Sequence, residues 1–333
     1  MNDAITHLQP YAEYANHPLA LLALFLAASA LMIWRLNAIE DKGLEGTVIG
    51  TLIMPYCSGA ANLAFAWVMS RNTASTDNGR LVVENAIVNN VTNLMLILGL
   101  AAILWGAASA PRGKTKRGGG AMRIERLNLL FTLIALFLFT GTLWALGRDG
   151  MLERNDGLVL VGLFLFWQVL HVFEVLKDNV RRNRNPHWSI AFDLVLVAAC
   201  AWAIYASVDQ LVTWVETARN PWFSMERLGW LSGLLMVLPN ALLAAYYARI
   251  GRQDIVVSSQ VGDGHICIPM CVGLFALFMP IRLPDYFELG MTLLLAAGAL
   301  HFVCIAVLGR LPQVMGWALV GSYAGFMYAG VFT

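Results

Sequence analysis

The chain has 333 residues, 59% hydrophobic and 13% charged, with a mean hydropathy of +0.65 and a net charge of +1. A soluble domain carries about 25% charged residues, so most of this chain belongs in lipid, and the near-neutral balance offers nothing to a nucleic acid. Its cysteines, Cys57, Cys200, Cys267, Cys271 and Cys304, lie in apolar runs without a CxxC pair, which excludes a disulfide framework and a structural zinc site.

A bilayer span needs about 20 mostly apolar residues. Runs of that kind follow in order at 18–36, 43–70, 81–108, 127–147, 157–176, 188–208, 226–248, 255–281, 286–308 and 312–331. No Lys or Arg precedes the first, so the basic start of a signal peptide is missing and the run reads as a retained span. The stretch from Pro111 to Arg126 is Gly-rich and basic and reads as a flexible linker. No soluble domain fits between the spans. Of the 22 Lys and Arg, fifteen fall in the loops of one side and seven on the other. The richer side is expected to be cytoplasmic, with both termini outside. The expected location is a bacterial inner (plasma) membrane.

The second, third, seventh and eighth spans are the polar ones, and they resemble each other in pairs. One stretch runs over about 50–100, the other over about 232–274. Each plants an Asn in an apolar run, Asn62 and Asn240, and an Arg nine residues later, Arg71 and Arg249. Each closes on a Gly ten residues past a polar residue, Asn89 to Gly99 and Asp263 to Gly273. With five spans ahead of the sixth, the halves 1–176 and 177–333 have opposite topology. The expected fold is therefore all-α and integral to the membrane, with ten transmembrane helices in two inverted five-helix repeats. Such duplicated, polar-centred hairpins mark secondary transporters, with the binding site near the midplane.

In span 3, Asn85, Asn89 and Asn93 recur every four residues and share a helix face, flanked by Glu84 and Asn90. In span 8, Ser259, Asp263 and Cys267 repeat that spacing, and Ser58 lies four residues before Asn62. Pro239 precedes Asn240 and frees a backbone carbonyl that can become a cation ligand. A single buried Asn is commonly interhelical glue, but Asn at matched positions in two inverted halves, facing an Asn stripe, reads as a substrate site. Asp263 is a carboxylate inside an apolar span, where ionisable groups default to function. Its structural alternative is an ion pair with nearby His265. Candidates for proton coupling are Asp263, Glu84 and His265. Asp193 stands isolated, and His171 with Glu174 forms either a buried pair or a proton relay. His265, Cys267, Met270 and Cys271 are a weak soft-metal grouping; no firm metal site and no cofactor is expected.

These motifs resemble the cation/calcium exchanger superfamily, which includes the sodium/calcium exchangers. The second repeat reads Leu238-Pro239-Asn240, then Ala248 to Ile255, Gly262-Asp263 and Val272-Gly273-Leu274. The first reads Ser58 to Leu63, then Glu84 to Asn93 and Leu98-Gly99-Leu100. The resemblance implies a sodium/calcium exchanger-like fold and ion ligands at Ser58, Asn62, Asn89, Asn93, Asn240, Asp263 and Cys267. It also implies that spans 1 and 6 move against the rest. The family's acidic ligand in each repeat falls on Asn62 and Asn240, so both carboxylates are replaced. A carboxylate touching a divalent ion contributes, gross, on the order of 10 kcal/mol at an effective dielectric of about 20, and calcium selects charged oxygen cages. The departures therefore point away from calcium, to an antiporter of a monovalent cation, Na+ or K+, or of protons. The alternatives are an exchanger-fold transporter of a small organic substrate or soft metal, and an intramembrane enzyme built on His171 and Glu174.

Overall fold

The computed structural model describes residues 17–41, 59–71, 77–107, 119–182, 190–218, 222–249 and 253–332. Backbone polar groups in lipid must be satisfied within the segment, and nearly all the described chain is helical. In order the helices are α1 (Pro18–Asp41), α2 (Ala60–Arg71), α3 (78–107), α4 (Gly119–Leu146), α5 (Arg154–Arg182), α6 (Ile190–Thr217), α7 (Leu228–Arg249), α8 (Gln253–Phe278), α9 (Phe287–Leu308) and α10 (Gln313–Phe332). Seven of them, α1, α3, α4, α6, α7, α8 and α9, are long and apolar enough to cross a membrane by length and composition. The other three expected spans fall on α2, of which twelve residues are described, and on α5 and α10.

Two boundaries differ from the sequence reading. The flexible linker is shorter than expected, because α4 already begins at Gly119. After Gly119 and Gly120, the run Ala121-Met122-Arg123-Ile124-Glu125-Arg126 consists almost wholly of strong helix formers, which outweigh its charge. Helix α6 continues past 208 to Thr217, carrying Asp209 and Gln210 inside it.

Helices α3 and α8 are the centre of the bundle: 78% of each candidate span is buried, against 28% for those of α1 and α6. The packing around them is reciprocal. Helix α2 packs on α8 and α7 on α3; α10 packs on the second half of α3 and α5 on the second half of α8; α6 lies on α2 and α1 on α7. Helices α1 and α6 pack extensively on each other. The closing glycines of the two polar stretches explain one of these matched contacts. A Cβ at Gly316 of α10 would lie 2.5 Å from the Gly99 carbonyl oxygen, and one at Gly157 of α5 would lie 2.7 Å from that of Gly273. In both places the backbones meet directly.

Both central helices widen into a π-helical segment at matched places, Thr92–Ile97 in α3 and Cys267–Val272 in α8. In α3 the Thr92 hydroxyl donates to the Val88 carbonyl at 2.6 Å, inside the helix ladder. In α8, Pro269 lacks the N–H that a regular α-turn needs. On the face where α4 ends and α9 starts, two short strands pair antiparallel, β1 (Met151–Leu152) and β2 (Ile281–Arg282), in the register Met151↔Arg282. Gly150, at φ 83°, makes the turn into β1, and its carbonyl accepts from the Leu283 N–H at 3.0 Å. Strands of two residues are too short to show periodicity in a sequence.

Candidate functional site

The four-residue spacing in α3 and α8 brings four of the expected site residues into one hydrogen-bonded group. Asp263 is fully buried, and its Oδ2 is the common acceptor. It accepts from the Asn89 side-chain amide, from Asn93 Nδ2 at 3.0 Å and from the Cys267 thiol at 3.6 Å. Asn89 Nδ2 also lies 3.3 Å from the Cys267 sulfur. Buried charges survive only when hydrogen-bonded, and here three donors from two helices converge on one carboxylate oxygen.

That arrangement uses the amide nitrogens of Asn89 and Asn93 and leaves their Oδ1 atoms without a donor. Asn62 and Asn240 are each 1% exposed, and neither the nitrogen nor the oxygen of their side chains finds a partner. Helix α2, with Asn62, packs on the π segment of α8, and α7, with Asn240, packs on the π segment of α3. Gln260, one turn before Asp263, donates to the Asn240 carbonyl at 3.3 Å and so ties α7 to α8 beside the carboxylate. An unsatisfied buried amide group costs about 1–3 kcal/mol, so such groups on α2, α3 and α7, the helices packed on α8, need a purpose.

The Asn stripe of α3 divides. Asn85 turns to α7, donating to Ser232 Oγ at 3.0 Å and to the Met236 sulfur at 3.4 Å. Asn90 bonds back to the Ala86 carbonyl at 2.7 Å and lies against Gly264. Ser259 joins Gln260 rather than the carboxylate group, at 3.1 Å. His265 Nε2 meets the Thr132 carbonyl of α4 at 2.9 Å, and its ring packs against Phe139 and Trp167. Two positions past Asp263, it projects to another side of α8. Glu84 is not in the central group: it pairs with Arg80 at 2.7 Å, nearer the start of α3. Asp193 is not isolated, since Arg35 of α1 lies 3.4 Å from it and the pair links α1 to α6. His301 Nδ1 lies 2.6 Å from the Ala297 carbonyl, a packing arrangement. No group of three His, Cys, Asp or Glu that could hold a metal ion occurs among the described residues, so the soft-metal grouping does not assemble there. Ser58 and Cys57 lie outside the described residues, as do the side chains of His171 and Glu174.

Sequence reasoning missed Gln260, Arg80 and the π segments. Arg80 was detectable as the i,i+4 partner of Glu84. Pro269 hinted at one π segment; the other has no comparable mark.

The sequence profile of the sodium/calcium exchanger protein family matches residues 19–173, which span the first polar stretch with Asn62, Asn89 and Asn93. Over that first half the chain resembles the cation/calcium exchanger superfamily. Members of this superfamily are transporters and not enzymes, and the intramembrane-enzyme alternative falls. The exchanger's fold extends over both halves. Sodium-calcium exchanger NCX_Mj soaked with 2.5 mM Na+ and 10 mM Sr2+ matches at a TM-score of 0.63 and 19% identity, over 96% of this chain and 98% of that one. The same protein soaked with 100 mM Na+ and 10 mM Sr2+ matches at 0.65 and 20% identity, over 94% and 96%. Among relatives, inner membrane protein YrbG of Escherichia coli (strain K12) is 26% identical over 215 residues, 60% of this chain. That match spans 61% of the relative's own length. The proposed antiporter CaxA of Alkalimonas amylolytica is 24% identical over 336 residues, 91% of this chain and 96% of the relative.

Proposed function

We propose that the exchanger is a secondary-active antiporter that moves a monovalent cation, Na+ or K+, through a midplane site built on Asp263, with protons as the exchanged or competing ion. The observation that carries this reading is the donor set: one buried carboxylate with the unpartnered amide oxygens of Asn62, Asn89, Asn93 and Asn240. A single negative charge neutralises a monovalent cation and leaves a divalent one undercompensated. Ten spans in two inverted halves, 1–176 and 177–333, supply the frame, and the reciprocal packing around α3 and α8 supports it. The loop charges favour an inner-membrane protein with both termini outside, and the name of the Escherichia coli relative fits that location.

The test is thermal stabilisation of the purified protein across Na+, K+, Ca2+ and pH, with Asp263→Asn beside the native chain. A ligand of the folded state raises the melting temperature as its concentration passes its dissociation constant. A rise with Na+ or K+ that Asp263→Asn abolishes is expected. A rise with Ca2+ alone would overturn the monovalent reading.

A second reading has one observation in its favour. A cavity of about 360 Å³ lies between the start of α1, the end of α6 and the first turns of α7, lined by Leu22, Phe65, Val212, Leu235 and Met236 among other apolar side chains. Phe65 and Met236 lie one turn from Asn62 and Asn240. A small organic cation would place its apolar part there. Stabilisation by tetramethylammonium but not by Na+ would select this reading.

A further inference from the structure

We propose that Glu84 is a second proton-binding carboxylate, separate from Asp263, whose protonation sets the seam between α3 and α7. The inference rests on the antiporter reading for its use, but not on which cation Asp263 holds.

The group is small. Arg80 bonds Asp77 through Nε at 2.6 Å and Glu84 through a terminal nitrogen at 2.7 Å. The side chains of Asp77 and Arg80 are 41% and 29% exposed, whereas that of Glu84 is 2% exposed. The pair therefore joins a part-exposed cation to a buried carboxylate. Only one of its oxygens is served. Glu84 Oε2 meets no hydrogen-bond donor.

The surroundings of Oε2 select its ligand. It faces Gly229 of α7, where any Cβ would collide with Glu84 Oε2 and Cβ and would come 3.0 Å from the Leu81 carbonyl oxygen. Backbone lies against that oxygen on the α7 side, and a proton needs no room beyond it. The step is balanced simply: a proton from the water at the β1–β2 face binds Glu84 Oε2, the carboxylate becomes a carboxylic acid, and Arg80 remains paired with Asp77. Among the described residues, the charged or titratable groups around Glu84 are Arg80 of α3, Asp77 just before that helix and Tyr286 just before α9. From α7 it meets Gly229, next to the uncharged Trp230, whose ring lies 5.1 Å from that of Tyr286.

The position gives the proton an effect. The next residue, Asn85, makes the hydrogen bonds to Ser232 and Met236 that hold α7 to α3. One turn further along α7, Gly233 presses on Val88 and on the Asn85 carbonyl. The seam is thus made by two glycines laid over Glu84 and Val88. A neutral acid fits under Gly229 without charge on Oε2; an ionised one places part of its charge, on the oxygen Arg80 does not reach, against backbone in a dry contact. Proton binding closes the seam and proton release loosens it.

Two readouts test this. The first is 22Na+ flux into liposomes as a function of pH, for the native chain and Glu84→Gln. The second is infrared difference spectroscopy of the same proteoliposomes, following the carboxylic-acid C=O band on acidification. Glu84→Gln is expected to lose one titration from the flux profile and one carboxylic-acid band. Asp263→Asn is expected to keep that band even where its flux is gone, which separates failure of the cation reading from failure of this one. If Glu84→Gln does not fold, Arg80→Gln serves: without the guanidinium the Glu84 band is expected at higher pH. An unchanged flux profile with an unchanged set of bands in Glu84→Gln, or an unmoved band in Arg80→Gln, overturns the proposal.

Discussion

Replacing Asn62 and Asn240 together by Asp is expected to turn the site towards calcium. The exchange is nearly isosteric and breaks no hydrogen bond, because neither amide has a partner. The change is therefore almost purely one of charge. Two unit charges about 4 Å apart at an effective dielectric of about 20 attract by about 4 kcal/mol. Each new carboxylate then adds about 4 kcal/mol for Na+ and about 8 kcal/mol for Ca2+, gross. Mutual repulsion among the three carboxylates, about 2 kcal/mol per new pair at roughly twice that distance, and their desolvation burden the empty and the loaded site alike and cancel from the ratio of affinities. The difference of about 4 kcal/mol per carboxylate favours Ca2+, and each 1.4 kcal/mol is about tenfold in affinity. The expected result is a shift in the Ca2+/Na+ affinity ratio of at least about a hundredfold. Calorimetric titration of both ions against the native protein and the double variant reads it directly. A folded double variant with an unchanged ratio would refute the assignment of these two positions to the ion site.

Cys267→Ser keeps a donor towards Asp263 Oδ2 and is expected to retain cation flux within about threefold while removing block by mercurial reagents; lost flux would show that the sulfur itself is a ligand. Arg35→Ala removes the cationic partner at 3.4 Å from the fully buried Asp193 carboxylate and is expected to cost about 2–4 kcal/mol, discounted for the part-exposed guanidinium, whereas Asp193→Asn should cost less; unfolding midpoints in detergent order the two. Gly157→Ala would drive a Cβ to 2.7 Å from the Gly273 carbonyl oxygen and the Leu277 amide, a backbone contact that cannot yield, and a loss of about 1–3 kcal/mol is expected. Gly162→Ala in the same helix meets nothing within 4 Å and should be neutral or up to about 1 kcal/mol stabilising. Pro269→Ala restores the missing N–H of α8 and is expected to tighten the π segment, lowering flux while the melting temperature holds or rises.

The frame was legible because it depends on long, repetitive signals. Apolar runs of bilayer length placed the helices, and Asn62 and Asn240 stand on α2 and α7, which pack in matched fashion on α8 and α3. The Asn89, Asn93, Asp263 and Cys267 group was legible for the same reason: four-residue spacing places side chains on one face, and the two faces had to meet. What the sequence hid was local or three-dimensional. Asn85 follows the same spacing as Asn89, yet it bonds across to α7, because Ser232 and Met236 happen to face it. His265 looked like a partner for Asp263, but two residues of helix turn it towards the Thr132 carbonyl. The linker before α4 looked flexible from its glycines and charge, while the helix formers after Gly120 extend α4 into it.

The pairing of β1 with β2 has a consequence for biogenesis. The strand at Met151–Leu152 leaves the ribosome with the first half of the chain, and its partner at Ile281–Arg282 arrives only after α8 has been made. Until then the turn between α4 and α5 presents an open edge with its backbone groups unmatched. The two halves are thus stitched late, by a clasp that belongs to neither one alone. Were the gene divided between α5 and α6, the separate products would carry complementary ends of that clasp.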